Sequence, residues 1–496
     1  RRGRELADRD VTRIVNDSTK AVPGSLFVAI KGIAQDGHDF LAQAVARGAT
    51  ALVVEDEARV PAGFDGAVVV VPDGRAALNR LSGAFFGDPG RALFCVGVTG
   101  TDGKTSVTCM AEAVLAACGI PTGVIGTVDH HFGEHRWPGD TTPPPLVLQE
   151  RLSQLVDLGA RAVALEATSQ GLSQSRVSGV PFDVAVFTNL TRDHLDYHRT
   201  LDAYFAAKER LFTEALAGSP KPRRHAIVNV DTDHGARLRV PAGVTRWTYG
   251  KVGTGADLVY EPLETSLSHS VFRLRAWGQE AELRLPMMGA FNGANALAAV
   301  AVGVAAGGDV ATCVEALRGF AGVPGRVQRV AHAGDKAVLI DYAHDPDAFE
   351  KVLTTARDAM QRERSGARLV TVFGCGGDRD RGKRPLMLEA ALRLSDSVIV
   401  TSDNPRSEDP HAIVEDMLAG VRTDADRARV ADELDRAEAI HLALDTTTDR
   451  DVVMLLGKGH ETHQIVGDQR IPHSDHAVVT AKLAMPGVAG SAARRA

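Results

Sequence analysis

The sequence predicts an α/β protein of parallel sheets divided into three domains. Three observations predict it. Apolar, β-branched runs alternate with helical patterns almost throughout, the pattern of βαβ units. At 496 residues the chain exceeds what one hydrophobic core organises. Turn-rich breaks fall at "FFGDPGRA" (Phe85 to Ala92) and "FAGVPGRVQRV" (Phe320 to Val330), and a new strand follows each. The expected domains are residues 1–91, 92–327 and 328–496.

Composition narrows the class. A hydrophobic content of 44% with 24% charged residues is that of an ordinary globular protein. A net charge of -7 argues against nucleic acid or an anionic membrane as the main partner. Five scattered cysteines with no CxxC pair fit a reducing cytoplasm and offer no thiol-rich metal site. The start, "RRGRELADRD", lacks an apolar segment, so no signal peptide is expected, and the tail "GVAGSAARRA" is expected to be disordered. "ANALAAVAVGVAA" (Ala294 to Ala306) is too short to span a bilayer and reads as a buried helix.

The first domain opens with strands "SLFVAI" and "TALVVE" around a helical "FLAQAVARGA". The second opens with "LFCVGVTGTDGKTSVTCMAEAVLAACG", a strand, a glycine turn and a helix ending at Cys118 before Gly119. Backbone N–H groups of such a turn, with the helix N-terminus, cradle anions. Lys104 would reach the β- and γ-phosphates and Thr105 would offer its hydroxyl to Mg²⁺. Val98 stands where the first glycine of GxxxxGK[ST] belongs, leaving Gly100-x-x-Gly103-Lys104-Thr105. Binding of a nucleoside triphosphate follows. Next, "AVALEATSQGL" puts Glu166 at a strand end, and "DVAVFTNLTRDHLDYH" does so for Asp193, His194, Asp196 and His198. Beside a phosphate loop these are candidate ligands or their supports.

In the third domain four polar motifs follow four strands. "DYAH" (Asp341 to His344) follows "AVLI", "GCGGDRDRGKR" follows "RLVTVF", "SDNPR" follows "SVIVT", and "GKGHE" follows "VVMLL". In an open parallel sheet ligands bind beyond the carboxyl ends of strands, so these loops share one edge. It carries Arg379, Arg381, Arg384 and Arg406 beside Asp378, Asp403 and Glu461, a mixture that suits a zwitterion better than phosphate alone.

Taken in order, "GVTGTDGKTS", "NLTRDHLDYH", "AYFAAKERLF", "GAFNGANALAA", "VPGR", "DYAHDPDA", "GCGGDRDRGKRP", "SDNPR" and "LLGKGHE" resemble the Mur ligases of peptidoglycan synthesis, collinearly from about residue 16 to 470. Within that family the set is most similar to the branch adding the third residue of the peptide. The resemblance implies an N-terminal UDP-substrate domain, a central P-loop ATPase domain and a C-terminal Rossmann-like domain that binds the incoming amino acid. It implies ATP sites at Gly100, Thr101, Asp102, Gly103, Lys104, Thr105, Ser106, Asn292, Arg326, Asp341 and His344, and Mg²⁺ contacts at Thr105, Glu166 and His194. It makes Lys208 the family's carbamylated lysine, where exposure statistics alone would leave a solvated helix lysine. The UDP-N-acetylmuramoyl dipeptide would be held by Ser18, Thr141, Thr142, Thr168, Gln174 and Arg176.

The residues depart from the family pattern at Asp102 (usually Asn), at Thr19 (Arg in "DSR"), at Asp140, and at "EATSQ" for "EVSSH", where Thr168 and Gln170 replace Ser and His. In the family, "DNPR" marks enzymes that add meso-diaminopimelate rather than lysine or ornithine. Arg406 would grip the extra carboxylate bidentately, with Asp403 and Pro405 beside it, and Arg379 would hold the other. Asn404 and Glu461 would take the accompanying ammonium, and Gly457 would let backbone approach. Were Arg406 merely paired with Asp403 or Glu408, no such selectivity would arise. The implied protein is a cytoplasmic monomer acting on small molecules, with no nucleic-acid or membrane partner. The same ligation with L-lysine or L-ornithine, a folate-type ligase, and a P-loop ATPase or kinase are the alternatives.

Overall fold

The computed structural model describes residues 10–32, 35–330 and 336–484. The expectations placed on residues 1–9 and on the tail lie outside them. The chain forms two compact units. One runs to Val259 and includes Ala276–Gln279 and Ala294–Val314; the other holds Tyr260–Arg275, Glu280–Gly293 and everything from Glu315.

The first unit contains two sheets. Strands Arg13–Val15, Ser25–Val28, Ala49–Val54 and Ala67–Val70 lie in that order, all parallel. The helix expected between the second and third is short, Leu41–Ala46. In the other sheet Phe94–Thr99 lies between Val184–Phe187 and Ala162–Glu166, parallel to both. Its continuation is parallel on both sides, through His225–Asn229 and Thr245–Lys251 and through Thr122–Ile125. A hairpin, His130–Phe132 with His135–Trp137, then closes one margin antiparallel. These central strands are buried along their length, which is why they read as continuous apolar runs rather than alternating ones.

The second unit is a doubly wound sheet. Ala337–Asp341, Val452–Leu456, Leu369–Phe373, Ser397–Val400 and Val430–Asp432 lie side by side and parallel. Their side chains alternate between two cores. Val338, Ile340, Val370, Val372, Ile399, Val453 and Leu455 pack with Ile440 and Leu444 on one face. Leu339, Phe373, Val398, Val400, Met454 and Leu456 pack with Phe349, Leu353 and Met387 on the other. Each such buried side chain contributes roughly 1.5–3 kcal/mol. Helix starts are fixed by side-chain caps: Asp345 before Pro346–Glu363, and Asp409 before Pro410–Leu418, each with proline in the first turn. Four adjacent parallel strands thus deliver the "DYAH", "GKGHE", "GCGGDRDRGKR" and "SDNPR" loops to one edge. Among the described residues no helix is long and apolar enough to cross a membrane.

Candidate functional site

In the first unit the loop Gly100–Gly103 joins the central strand to the helix Lys104–Ala117. Gly100 has φ +153°, and a Cβ there would lie 1.8 Å from Thr188 Oγ1, so only glycine fits. The loop is tied to the next strand's end. Thr101 N donates to Asn189 O (3.1 Å), Asp102 N donates to Asn189 Oδ1 (2.9 Å), and Thr188 Oγ1 donates to Asp102 O (2.6 Å). Asp102, which stands where the family usually has Asn, is exposed. Lys104 folds back, its Nζ donating to Gly100 O (3.1 Å) and Thr101 O (2.8 Å). Thr105 and Ser106 are buried in the first helical turn.

Lys208 is not the solvated lysine that exposure statistics suggest. It is 1% exposed, its Nζ donates to Gly100 O at 2.6 Å, and it lies 4.3 Å from the Tyr204 ring centroid. Burial, followed by the neighbouring Lys104 charge, holds its ammonium pKa well below the ordinary lysine value. Tyr204 in turn shares a hydrogen bond with Thr101 Oγ1 (3.2 Å).

Glu166 pairs in register with Val98, beside the loop. Its carboxylate is fully buried and accepts from Thr127 N (2.7 Å) and Thr127 Oγ1 (2.9 Å). His194, in left-handed backbone at φ 51°, lies with its ring 6.0 Å from Tyr204 and Nε2 3.3 Å from Asp193 Oδ2. Partial burial lowers its pKa. Among the described residues no three His, Cys, Asp or Glu side chains converge as a metal cluster.

Four of the residues expected at the dipeptide form one network. Thr142 Oγ1 donates to Glu166 O (2.7 Å) and meets Thr168 Oγ1 (3.0 Å), while Arg176 Nη1 donates to Thr142 O (2.7 Å) and Nε to Gln174 Oε1 (3.1 Å). Thr141 joins through Thr127 Oγ1 (3.3 Å). Thr168 caps the helix Ser169–Ser173, accepting from Gly171 N, as serine would. Asp140 lies 3.6 Å from Arg176. Ser18 stands outside this network, its Oγ donating to Gln43 (2.6 Å).

Sequence reasoning missed Tyr197, whose OH links Ser173 Oγ (3.0 Å) and Gln174 Nε2 (3.3 Å). The buried His198, named from the sequence as a candidate ligand or support, meets Ser169 Oγ through its Nε2 (2.9 Å). The signal for Tyr197 lay in "DHLDYH", where only the acids and imidazoles were weighed. Of the two asparagines in "NGAN", Asn295 lies against the phosphate loop, its Oδ1 2.6 Å from where a Gly103 Cβ would be. Asn292 is fully buried and its amide donates to Met288 O (3.0 Å).

In the second unit Asp341 is buried, accepting from Val327 N (2.8 Å) and Ala343 N (2.7 Å), and burial raises its pKa. Arg326 stacks 4.8 Å from the Tyr342 ring, and His344 Nδ1 lies 2.9 Å from Tyr342 O.

The charged edge needs one correction. Arg384 is no rim cation. Its side chain is fully buried, with Nη1 donating to Glu408 (3.0 Å) and Asp416 (2.7 Å), and Nη2 donating to Glu408 (2.8 Å) and Gly376 O (3.2 Å). Arg381 also turns to Asp416, at 3.0 Å. Glu408 and Asp416, remote in sequence from both, are what hold them.

Arg406 remains on the edge. Its Nη1 donates to Gly377 O (2.8 Å), and among the described residues no carboxylate pairs with it. Gly376 separates it from Arg379, whose Nη1 donates to Asp378 O (3.0 Å). Burial, and then the Arg379 charge, depress the Arg406 pKa. Two adjacent guanidiniums in this state make a receptor for a carboxylate.

Beside Arg406, whose Nη1 also reaches Asn404 O (3.4 Å), Asn404 Nδ2 donates to Glu461 Oε2 (2.9 Å), and Asp403 is buried, its pKa raised by burial. Gly457, at φ +103°, admits Asp403 Oδ2 to within 2.8 Å of where a Cβ would stand. Glu461 does not await an ammonium alone, because Lys458 Nζ already lies 2.7 Å away.

Comparison with known proteins gives the family. Three family models match: the Mur ligase family catalytic domain at residues 10–86, the Mur ligase middle domain at 98–303, and the Mur ligase glutamate ligase domain at 325–459. The chain is 43% identical over 485 residues to the UDP-N-acetylmuramoyl-L-alanyl-D-glutamate--2,6-diaminopimelate ligase of Geobacter sulfurreducens, covering 94% of each. A solved structure of a ligase of that name superposes with TM-score 0.68 at 34% identity, covering 95% of this chain and 94% of that one. The MurF ligase of Thermotoga maritima, in complex with ADP, shares the fold at TM-score 0.62 and 20% identity, covering 96% of this chain and 98% of that one. Matched by those models over most of its length, and by that relative almost end to end, the chain belongs to the Mur ligase family.

Proposed function

We infer that this protein joins meso-2,6-diaminopimelate to the D-glutamate side-chain carboxylate of UDP-N-acetylmuramoyl-L-alanyl-D-glutamate, driven by ATP. One observation carries the choice of amino acid: Arg406, beside Arg379, holds a guanidinium that no carboxylate of the described chain satisfies.

A carboxylate is a poor electrophile. In this reading its oxygen attacks the γ-phosphorus of ATP, ADP departs, and an acyl phosphate forms. The amine of diaminopimelate then attacks the acyl carbon, phosphate leaves with the C–O bond electrons, and the amine proton is lost. Lys104, released from Gly100 O and Thr101 O, neutralises charge on the transferring phosphoryl group. The network of Thr142, Thr168, Gln174 and Arg176 orients the dipeptide, with Ser18 and Thr141 on the remainder of the nucleotide sugar. Asn292, Arg326, Asp341 and His344 serve the nucleotide.

Magnesium fits the donors beside the loop, namely the Thr105 hydroxyl, Glu166, His194 and an oxygen anion on Lys208. Such ions are held by one or two carboxylates together with phosphates and water. When bound it would neutralise phosphate charge. Lys208 has the chemistry for carbamylation. Its uncharged amine, favoured by burial, is the form that adds carbon dioxide, and the resulting anion would sit beside Lys104. The reading takes residues 1–91, 92–327 and 328–496 as the UDP-substrate, ATP and amino-acid domains of a cytoplasmic monomer.

Phosphate release from ATP, measured with the UDP-linked dipeptide and a panel of amino acids, tests this. Strict dependence on both the dipeptide and diaminopimelate is expected. Preference for lysine or ornithine would overturn the specificity, and release without either substrate would overturn the ligase assignment.

A further inference from the structure

Lys458 has no part in the chemistry above, yet its side chain is fully buried. Its Nζ lies 2.7 Å from Glu461 Oε2, 3.2 Å from Asn404 Oδ1 and 3.5 Å from Asp403 Oδ1. Every polar contact it makes among the described side chains is therefore with a residue assigned to the amino-acid substrate. Burying an ion pair is weak evidence for stability, because desolvation offsets the attraction. A role in the site accounts better for the arrangement.

Asp403 and Glu461 give two negative charges, and Lys458 cancels one. Behind Asp403, Arg436 and Asp475 form their own 2.7 Å pair and cancel each other. The pole facing an incoming ammonium therefore carries one net negative charge. The positive pole is formed by Arg406 and Arg379, both without a carboxylate partner among the described residues. A side chain ending in both an ammonium and a carboxylate uses both poles, whereas one ending in an ammonium alone uses only the negative pole.

We propose that Lys458 is a specificity-determining residue, whose ammonium, sealed against Glu461, Asn404 and Asp403, weakens the site's pull on an amino acid with a lone side-chain ammonium. Discrimination is a difference of affinities, and reducing attraction for the wrong substrate serves it as well as gripping the right one. The inference rests on the diaminopimelate reading and says how that same site rejects lysine.

The test measures kcat and KM for meso-diaminopimelate and for L-lysine in the full-length enzyme. Lys458→Met strengthens the negative pole, so the diaminopimelate-to-lysine ratio of kcat/KM should fall by about tenfold or more, while KM for ATP stays within about twofold. Glu461→Gln weakens that pole and should move the ratio the other way. The double variant, with the net charge restored, should recover a ratio nearer wild type than either single one. Should Lys458→Met prove unfolded, the direction of the Glu461→Gln shift decides alone. An unchanged ratio in Lys458→Met, or a fall in Glu461→Gln, overturns the inference. Wild type preferring lysine overturns instead the reading on which it stands.

Discussion

Arg406→Ala is the sharpest probe of the amino-acid assignment. The guanidinium is half-buried, lies next to Arg379 and donates to Gly377 O at 2.8 Å. Removing one partner of a buried, hydrogen-bonded charge pair costs about 2–5 kcal/mol. Partial exposure argues for the lower part of that range, about 2–3 kcal/mol, or a roughly 30- to 150-fold loss of kcat/KM. The loss should fall on diaminopimelate. Lysine, with no second carboxylate, should lose less than about threefold.

A second effect must be kept apart. Arg406 sits at φ 52°, a strain that arginine and alanine bear alike, so the variant's added penalty is the loss of the donor to Gly377 O. That penalty acts on the fold whichever amino acid is bound, so it lowers stability and cancels from the ratio. Arg406→Lys should fall between, keeping the charge but not the fork. The assay is phosphate release at saturating ATP and dipeptide, titrating each amino acid. An equal loss for both amino acids would refute the reasoning.

Lys104→Ala should lower kcat on the order of 10²-fold or more with an unchanged melting curve, and near-normal turnover would sink the nucleotide assignment. Lys208→Ala should be inactive and partly rescued by short carboxylates, and carbon-13 NMR of enzyme held in labelled bicarbonate should show a carbamate signal that the variant lacks. Arg436→Met takes the guanidinium from the fully buried Asp475 and leaves it His473 Nε2 (2.9 Å), so calorimetry should register about 3 kcal/mol of destabilisation, the lower end for a broken buried pair. Pairing with Arg436 outweighs burial and depresses the Asp475 pKa, so its contribution is whole above the ordinary carboxylate range and lost as pH falls through the folded value. Asp475→Asn should therefore flatten the acid limb of the stability profile, and an unchanged limb would count against the pair.

The strands were legible because burial on both faces makes them continuous apolar runs, and the loops followed because polar motifs stop those runs. Side-chain partners were not. Arg384 reads like its neighbours until Glu408 and Asp416, 24 and 32 residues on, fold over it. Lys208 looks solvated on its helix, and only the return of the chain past Gly100, at a separation of 108 residues, buries it. Glu166 was found at its strand end, yet Thr127, which fixes its carboxylate, carries no motif. Local pattern is written along the chain, whereas electrostatic partnership depends on which remote segments meet.

The loops bearing Arg379 and Arg406 are stitched together. Gly377 N donates to Asn404 O (2.9 Å), Asp378 N donates to Glu408 Oε1 (2.6 Å), and Ser407 Oγ donates to Asp378 Oδ1 (2.7 Å). Altering "DNPR" alone would leave Asp378 and Gly377 holding a turn that no longer exists. A graft that moves specificity between relatives therefore has to carry both segments together.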